Sequence, residues 1–356
     1  MTLSTVSTAN TVKQWDADLY REYIRANRFA RYQGTDANAV IQLKENLTKK
    51  PGDALTISLV KALSGAGVTG NSLLEGSEES LANYGQQISI AAYRNGVAIT
   101  EWEEQKTAMA LRNEVRPLLK EWAMDLNRDK IISAMGSFQE TAGGAITTYS
   151  GSSETVKDAC LVLNSDRFLF GAAVGNNASN DHSAALQQID NTADKLTYGV
   201  VSLAKRLAKK ASPIIRPIRV NDDEEWYVMF AGSLAFRDLK ASLATINQNA
   251  EVRGKSNPLF TDGDLVYDGV IIREVPEIAV ISGVGAGGID VSPNYLCGAQ
   301  ALAHVIGKRW ASRTEERDYG FVNGVAIEGF FGTEKLFYNG KQHGMVTVYT
   351  AGVADA

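Results

Sequence analysis

The chain predicts an α+β fold, in which long strand-forming and helix-forming stretches lie apart along the sequence. Three patterns carry that reading. Two strand-like runs, 53–63 and 86–100, face each other across a long tip and lead straight into a helical periodicity over about 101–135. Helix-period stretches at 186–211 and 233–246 then alternate with short apolar runs of strand type. The final stretch, 309–349, alternates in strand fashion. With 44% hydrophobic and 22% charged residues the chain is ordinary globular material, and 356 residues suggest two or more domains, one large domain being the alternative.

The first eleven residues are rich in Ser and Thr and read as an arm. From Val12, the positions Val12, Trp15, Leu19 and Tyr23 fall at helical spacing and predict a helix over about 13–31, closed by Gly34. Arg21, Arg25, Arg28 and Arg31 are interleaved, either as a solvated face or as partners for acids or a polyanion. Lys49-Lys50-Pro51-Gly52-Asp53 is turn chemistry introducing the hairpin. Its tip, 64–85, contains Gly65, Gly67, Gly70, Gly76 and Gly85, carries Glu75, Glu78 and Glu79, and has no basic residue. A connection of about 20 residues is uncommon in a compact domain, and two strands alone are marginally stable in water. The hairpin therefore needs something outside itself to lie on.

Thr100 and Glu103 form the Ser/Thr-x-x-Glu pattern of a capping box. Leu111, Val115, Leu118, Trp122 and Leu126 keep a 3.6-residue period, and Gly136 ends the run after Met135. About 35 residues at 1.5 Å per residue give a helix of roughly 50 Å. Pro117, inside it, is expected to kink or split the helix. Residues 136–187 are rich in Gly, Ser, Ala and Asn; Thr155–Leu163 reads as helix or strand, and Gly171–His182 as a long exposed loop. One helix is expected over Leu186–Ala211 and another over Ser233–Ile246. Strands are expected at Ile214–Val220, Glu225–Phe230, Leu265–Val275, Glu277–Ile281 and Tyr295–Cys297, and helix or strand at Ala299–Ile306. The tail reads as strands at Thr314–Tyr319, Gly324–Phe331, Thr333–Tyr338 and Met345–Tyr349, with a turn at Asn339-Gly340.

A net charge of −5 and a pI near 5.4 argue against a protein that coats nucleic acid with basic charge. Two cysteines, Cys160 and Cys297, make no disulfide framework. No secretory signal is expected, and no apolar run reaches the ~18 residues of a membrane span. Two Gly-x-Gly-x-x-Gly matches occur, Gly65–Gly70 and Gly283–Gly288. Neither is followed by a helix-forming stretch, so neither offers amides to a pyrophosphate. The three histidines, His182, His304 and His343, have no ligand spacing, and His304 reads as a packed core imidazole. Cys297 and His304 make no dyad, and Glu103 and Glu104 point in different directions on a helix. No catalytic residue, cofactor or metal site is expected, and the residues point to a structural protein rather than an enzyme.

Several strings carry a resemblance: Val12-Lys-Gln-Trp-Asp-Ala-Asp-Leu-Tyr-Arg-Glu-Tyr, Leu47-Thr-Lys-Lys-Pro-Gly-Asp, Gly65-Ala-Gly-Val-Thr-Gly-Asn, Leu74-Glu-Gly, Trp102-Glu-Glu-Gln-Lys-Thr and Leu296-Cys-Gly-Ala-Gln-Ala. With the order of elements, they resemble the major capsid proteins of tailed bacteriophages, the Hong Kong 97-type fold, over about 12–345. The resemblance implies an N-terminal arm (1–48), an extended loop lying across the neighbouring subunit (49–100), and a peripheral domain with a spine helix (101–159). An axial domain (160–308) and return strands with a C-terminal tail (309–356) complete it. It further implies hexamers and pentamers of an icosahedral shell, packaged double-stranded DNA without sequence-specific contacts, a separate scaffolding protein, a portal and decoration proteins. A virion location after assembly in the host cytoplasm, with no membrane, follows from the same resemblance. Some members cross-link through a lysine of the extended loop; the tip here has none, although Lys61 flanks it. Glu75, Glu78 and Glu79 are expected to need basic partners on the adjacent subunit, with Arg21, Arg25, Arg28 and Arg31 as candidates. An encapsulin-type compartment shell and a soluble α/β enzyme are the rival readings.

Overall fold

A computed structural model of the chain describes residues 27–48, 52–63, 65, 67–71, 73–106, 111–219, 225–247 and 264–355. Most of the helix expected over 13–31 lies outside these. Its last residues form no α-helix: a single 3-10 turn at Ala30–Tyr32 is held by the rings of Phe29 and Tyr32 packing edge-on against Phe230, at 4.9 and 5.3 Å. Two short parallel strands follow, β1 (Gln33–Gly34) and β2 (Ile41–Lys44). The extended hairpin is β3 (Ala54–Val60) and β4 (Asn83–Ser89). The second expected strand is in fact two, because β5 (Ala91–Thr100) leaves the hairpin for another sheet. Then come α1 (Glu101–Lys106) and α2 (Leu111–Met135), with helical assignment unbroken through Pro117.

A small hairpin, β6 (Phe138–Gln139) and β7 (Ile146–Thr147), precedes α3 (Glu154–Leu163), which is helix rather than strand and is capped by the Ser153 hydroxyl. After β8 (Phe168–Phe170), the segment expected as an exposed loop is largely 3-10 helical (Val174–Asn180) and delivers a fully buried His182. The helix expected over 186–211 is two: α4 (His182–Leu186) and α5 (Tyr198–Lys210). Two aspartates win the backbone between them. Asp190 Oδ1 accepts from the amides of Thr192 and Ala193, and buried Asp194 accepts from Ala172 and Asp190. Such local side-chain bonds compete with helix.

The chain continues through β9 (Ile218–Arg219), β10 (Glu225–Ala231), α6 (Ser233–Asn247), β11 (Asp264–Tyr267), β12 (Val270–Glu274) and β13 (Val291–Cys297). Prolines 213 and 217 leave β9 only two residues long. The expected strand 265–275 folds back as β11–β12 at Asp268-Gly269, both left-handed (φ 47° and 69°), the chemistry of a tight hairpin turn. Residues 277–281 form no strand; Ile281 makes only an isolated bridge to Val291. The tail is one long hairpin, β14 (Leu302–Arg317) and β15 (Val322–Lys335), then β16 (Phe337–Tyr338), β17 (Lys341–Gln342) and β18 (Met345–Ala351).

Two compact units share these elements. The larger takes Arg28–Ala91, Arg128–Lys308 and Phe330–Ala356. Its sheet runs β11-β12-β10-β13-β18-β8, with β9 on β10, mixing parallel (β10/β12, β18/β8) and antiparallel pairs. Both faces are covered, so the central strands β13 and β18 are buried on every residue. Tyr227, Met229, Leu296, Val346 and Val348 meet Val200, Val201 and Ala204 of α5 and Phe236 and Leu239 of α6. The alternate residues, Val228, Phe230, Tyr295, Cys297 and Met345, meet Ile131 and Met135 of α2. The smaller unit holds, among the described residues, Ala92–Asn127 and Arg309–Gly329. Its core is Val115, Leu119, Ala123 and Trp122 of α2 against Ile99, Trp310, Val325 and Ile327 of the strands.

Candidate assembly surface

The hairpin divides into a supported base and an unsupported end. β3 and β4 pair antiparallel from Ala54↔Ser89 to Val60↔Asn83. Alternation puts Leu55, Ile57 and Leu59 on the same face as Tyr84, Gln86 and Ile88. That face packs on Ala303, Val305, Leu336 and Tyr338 of the larger unit. The expectation that the hairpin needs outside support is thus met for its base by its own chain. At the last ladder pair and beyond it, among the described residues, Val60, Leu63, Leu73, Leu74 and Leu81 are 57%, 66%, 79%, 61% and 64% exposed.

The tip glutamates serve local turns first. Glu78 Oε2 accepts from the Gly76 amide at 2.8 Å, and Glu79 Oε2 from the Gly65 amide at 2.6 Å. Glu75 sits at the exposed Leu74–Ser77 turn. Arg28 Nη1 donates to the Glu274 carbonyl at 2.6 Å; Arg21 and Arg25 lie outside the described residues. At the helix start, the Thr100 hydroxyl accepts from the Glu103 amide at 3.3 Å, while the Glu103 carboxylate takes Lys106 at 2.8 Å. Pro117 stands in the second turn of α2.

Sequence reasoning passed over three features. Gln86 is a buried amide bonded to three groups at the end of β15 and the start of β16. Its signal was faint: a polar residue where the alternation calls for an apolar one. The adjacent leucines Leu73 and Leu74 in a glycine-rich tip were visible as an unpaired apolar pair. Trp102, Tyr319 and Phe321 form an exposed aromatic end of the smaller unit, tied by the Glu101 amide donating to the Phe321 carbonyl at 3.0 Å.

The buried titratable groups are engaged in packing. His182 lies 3.3 Å from Glu154 and is ringed by Phe138, Phe170 and Tyr349; burial holds its imidazole below the ordinary range, against the pull of Glu154. His304 Nδ1 meets the Thr333 hydroxyl at 2.7 Å, as a satisfied core imidazole should. Lys335 is buried over the rings of Phe138 and Phe337, and burial brings its ammonium down to about 8. Cys297 is a buried free thiol pushed up to about 12 by burial, the opposite of a reactive nucleophile. Among the described residues, no three His, Cys, Asp or Glu side chains are grouped to hold a metal, and no helix is long and apolar enough to cross a membrane.

A family model described as phage capsid protein matches residues 4–354. A curated relative, the major capsid protein of Pseudomonas phage KPP25, is 27% identical over 367 residues, covering 95% of this chain and 94% of its own length. Among solved structures, the Cyanophage Pam1 capsid asymmetric unit superposes with a TM-score of 0.91 at 36% identity, covering 99% of both chains. The capsid of Ralstonia phage GP4 follows at 0.75 and 22%, covering all of both chains. The acid-stable capsid of Helicobacter pylori bacteriophage KHP30 matches at 0.69 and 13%, over 97% of this chain and 96% of that one. These relatives favour a viral shell over an encapsulin-type compartment, and the Hong Kong 97-type α+β fold is the one expected from the sequence. An almost end-to-end family match and a shared fold lead to one conclusion: the chain belongs to the phage capsid protein family, as a major capsid protein whose copies associate into the shell of a virion.

Proposed function

We propose that the hairpin is the clasp of this shell: it lies across a neighbouring copy within hexamers and pentamers, closing an icosahedral particle around double-stranded DNA. One observation carries the reading, the five exposed apolar side chains at 60–81, at and beyond the last pair of the hairpin ladder. Large apolar side chains left in water along one hairpin end are the kind of surface a partner covers. The tip has no lysine, so the clasp is non-covalent. Glu75, Glu78 and Glu79 add charge that Arg21, Arg25, Arg28 or Arg31 of the adjacent copy meets. The role is structural and not catalytic. A separate scaffolding protein, a portal and decoration proteins complete the particle, which forms in the host cytoplasm. With a net charge of −5, the shell holds its DNA through packaging and counterions rather than many phosphate contacts.

Negative-stain microscopy of the protein expressed with its neighbouring genes is expected to show closed shells. Discrete small oligomers under those conditions would contradict the reading. Reversing Glu75, Glu78 and Glu79 together to Lys is expected to block closure; normal particles would remove the glutamates from the clasp.

A further inference from the structure

On its C-terminal side the hairpin passes into the next strand through a single residue. β4 ends at Ser89, β5 begins at Ala91, and Ile90 belongs to neither strand. Its amide closes the last rung of the hairpin on the Asp53 carbonyl at 2.9 Å. Two glycines of adjacent strands lie against this point. A side-chain carbon on Gly332 of β15 would stand 2.1 Å from the Ser89 carbonyl oxygen, and one on Gly307 of β14 would stand 2.6 Å from Ile90 Cδ1. Neither glycine has a positive φ. Close approach of chain to chain, rather than backbone conformation, is what excludes a side chain there.

Three residues before Ser89, the buried Gln86 side chain makes three further bonds. Its Nε2 donates to the Lys335 carbonyl at 2.9 Å and to Glu334 Oε2 at 3.3 Å, and its Oε1 accepts from the Phe337 amide at 2.7 Å. Without Gln86, that buried carbonyl and amide would lose these partners, a costly outcome in a dry site. An amide buried on the apolar face of a strand, where a leucine would pack, is a choice of direction over burial.

We propose that Gln86 and the notch formed by Gly307 and Gly332 fix the angle at which the hairpin leaves its subunit, and so act as positioning residues for assembly. This rests on the clasp reading above. The leverage is large. Seven ladder pairs at about 3.3 Å per residue span roughly 23 Å. A tilt of about 10° at Ile90 would then move the far end of the ladder by about 4 Å, the length of a full side-chain contact.

The test uses the full chain expressed with its neighbouring genes. Gln86→Leu and Gly332→Ala are each compared with Gln87→Ala, an exposed neighbour on the same strand. Unassembled subunits are read by hydrogen exchange over 54–90, and assembly by electron microscopy. Both variants are expected to speed exchange in the hairpin about tenfold or more, with far-UV circular dichroism unchanged, and to yield open or mis-sized shells. Gln87→Ala is expected to match wild type. If Gln86→Leu does not fold, Gln86→Asn, one methylene too short for the same bonds, takes its place. Wild-type exchange and wild-type shells from both positions would overturn the proposal. A variant with 64–81 replaced by a short Gly-Ser turn separates the two readings. Normal shells from it would sink the clasp itself. Blocked shells from it, alongside unaffected position-86 and position-332 variants, would sink only the hinge assignment.

Discussion

Arg167 is fully buried, and its guanidinium donates to the carbonyls of Gln342, His343 and Pro213, with Asp166 3.7 Å from its Nε. It straps the turn before β18 to the loop after α5. Arg167→Met keeps the length and removes every donor, leaving buried carbonyls without partners. The expected cost is about 3 kcal/mol, read as a shift in the urea midpoint of the unassembled subunit. A loss below about 1 kcal/mol would mean that solvent replaces the guanidinium. The histidines give a pH prediction of definite sign. Burial holds the imidazoles of His304 and His343 down at about 4, with Arg167 and Arg216 adding to the effect at His343. The folded chain therefore favours the neutral ring, while the unfolded chain takes a proton near pH 6.5. Stability is full above about pH 6.5 and falls as the pH drops towards 4, by at most about 3 kcal/mol per ring. His304→Gln can still bond Thr333 but does not titrate, so part of that acid limb should flatten in urea titrations run between pH 4 and 7. An unchanged slope would exclude His304 as a source.

Elements were legible in the sequence where one local rule acted alone. β10 reads as a continuous apolar run, α6 keeps a helical period, and the hairpin is bracketed by glycine and proline. They were illegible where a tertiary contact or a side-chain bond overrode the period: Asp190 and Asp194 ended a helix that the periodicity would have continued, and Phe29 held a turn where the apolar spacing from Val12 suggested helix. The candidate surface followed the same division. The acidic tip was readable, whereas the Gln86 clamp joins residues about 250 positions apart and leaves only one polar residue out of the alternation as a local sign. The long hairpin β14–β15 was read as shorter pieces because its glycines look like breaks. Gly329 explains why they are not. A side-chain carbon there would stand 2.7 Å from the Trp310 ring, which packs edge-on against Trp122 at 5.9 Å. Gly329→Ala should therefore push Trp310 out of the core of the smaller unit, at about 1–3 kcal/mol, despite the better strand propensity of alanine. Thermal melts followed by tryptophan fluorescence would register this; an unshifted melt would show that the ring pair can slide aside.

At the scale of the whole molecule, the question is what an unassembled subunit leaves exposed. Val60, Leu63, Leu73, Leu74 and Leu81 are apolar side chains that the subunit itself does not cover. A shell that covers it gains about 1 kcal/mol per side chain, so roughly 5 kcal/mol for each copy. That is comparable to the whole stability margin of a small domain, yet it contributes nothing to the folding of the isolated subunit. The two roles therefore separate by mutation. Replacing Leu73 and Leu74 together with Ser removes apolar surface that is already in water, so the melting temperature of the unassembled subunit should stay within about a degree. Assembly should lose about 2 kcal/mol per copy, which at about 1.4 kcal/mol per decade raises the concentration needed for shell formation some 30-fold. Light scattering against subunit concentration measures that threshold directly. If it stays at the wild-type value while the melting temperature is unchanged, these leucines face solvent in the finished shell, and the clasp must then be carried by some other surface of the chain.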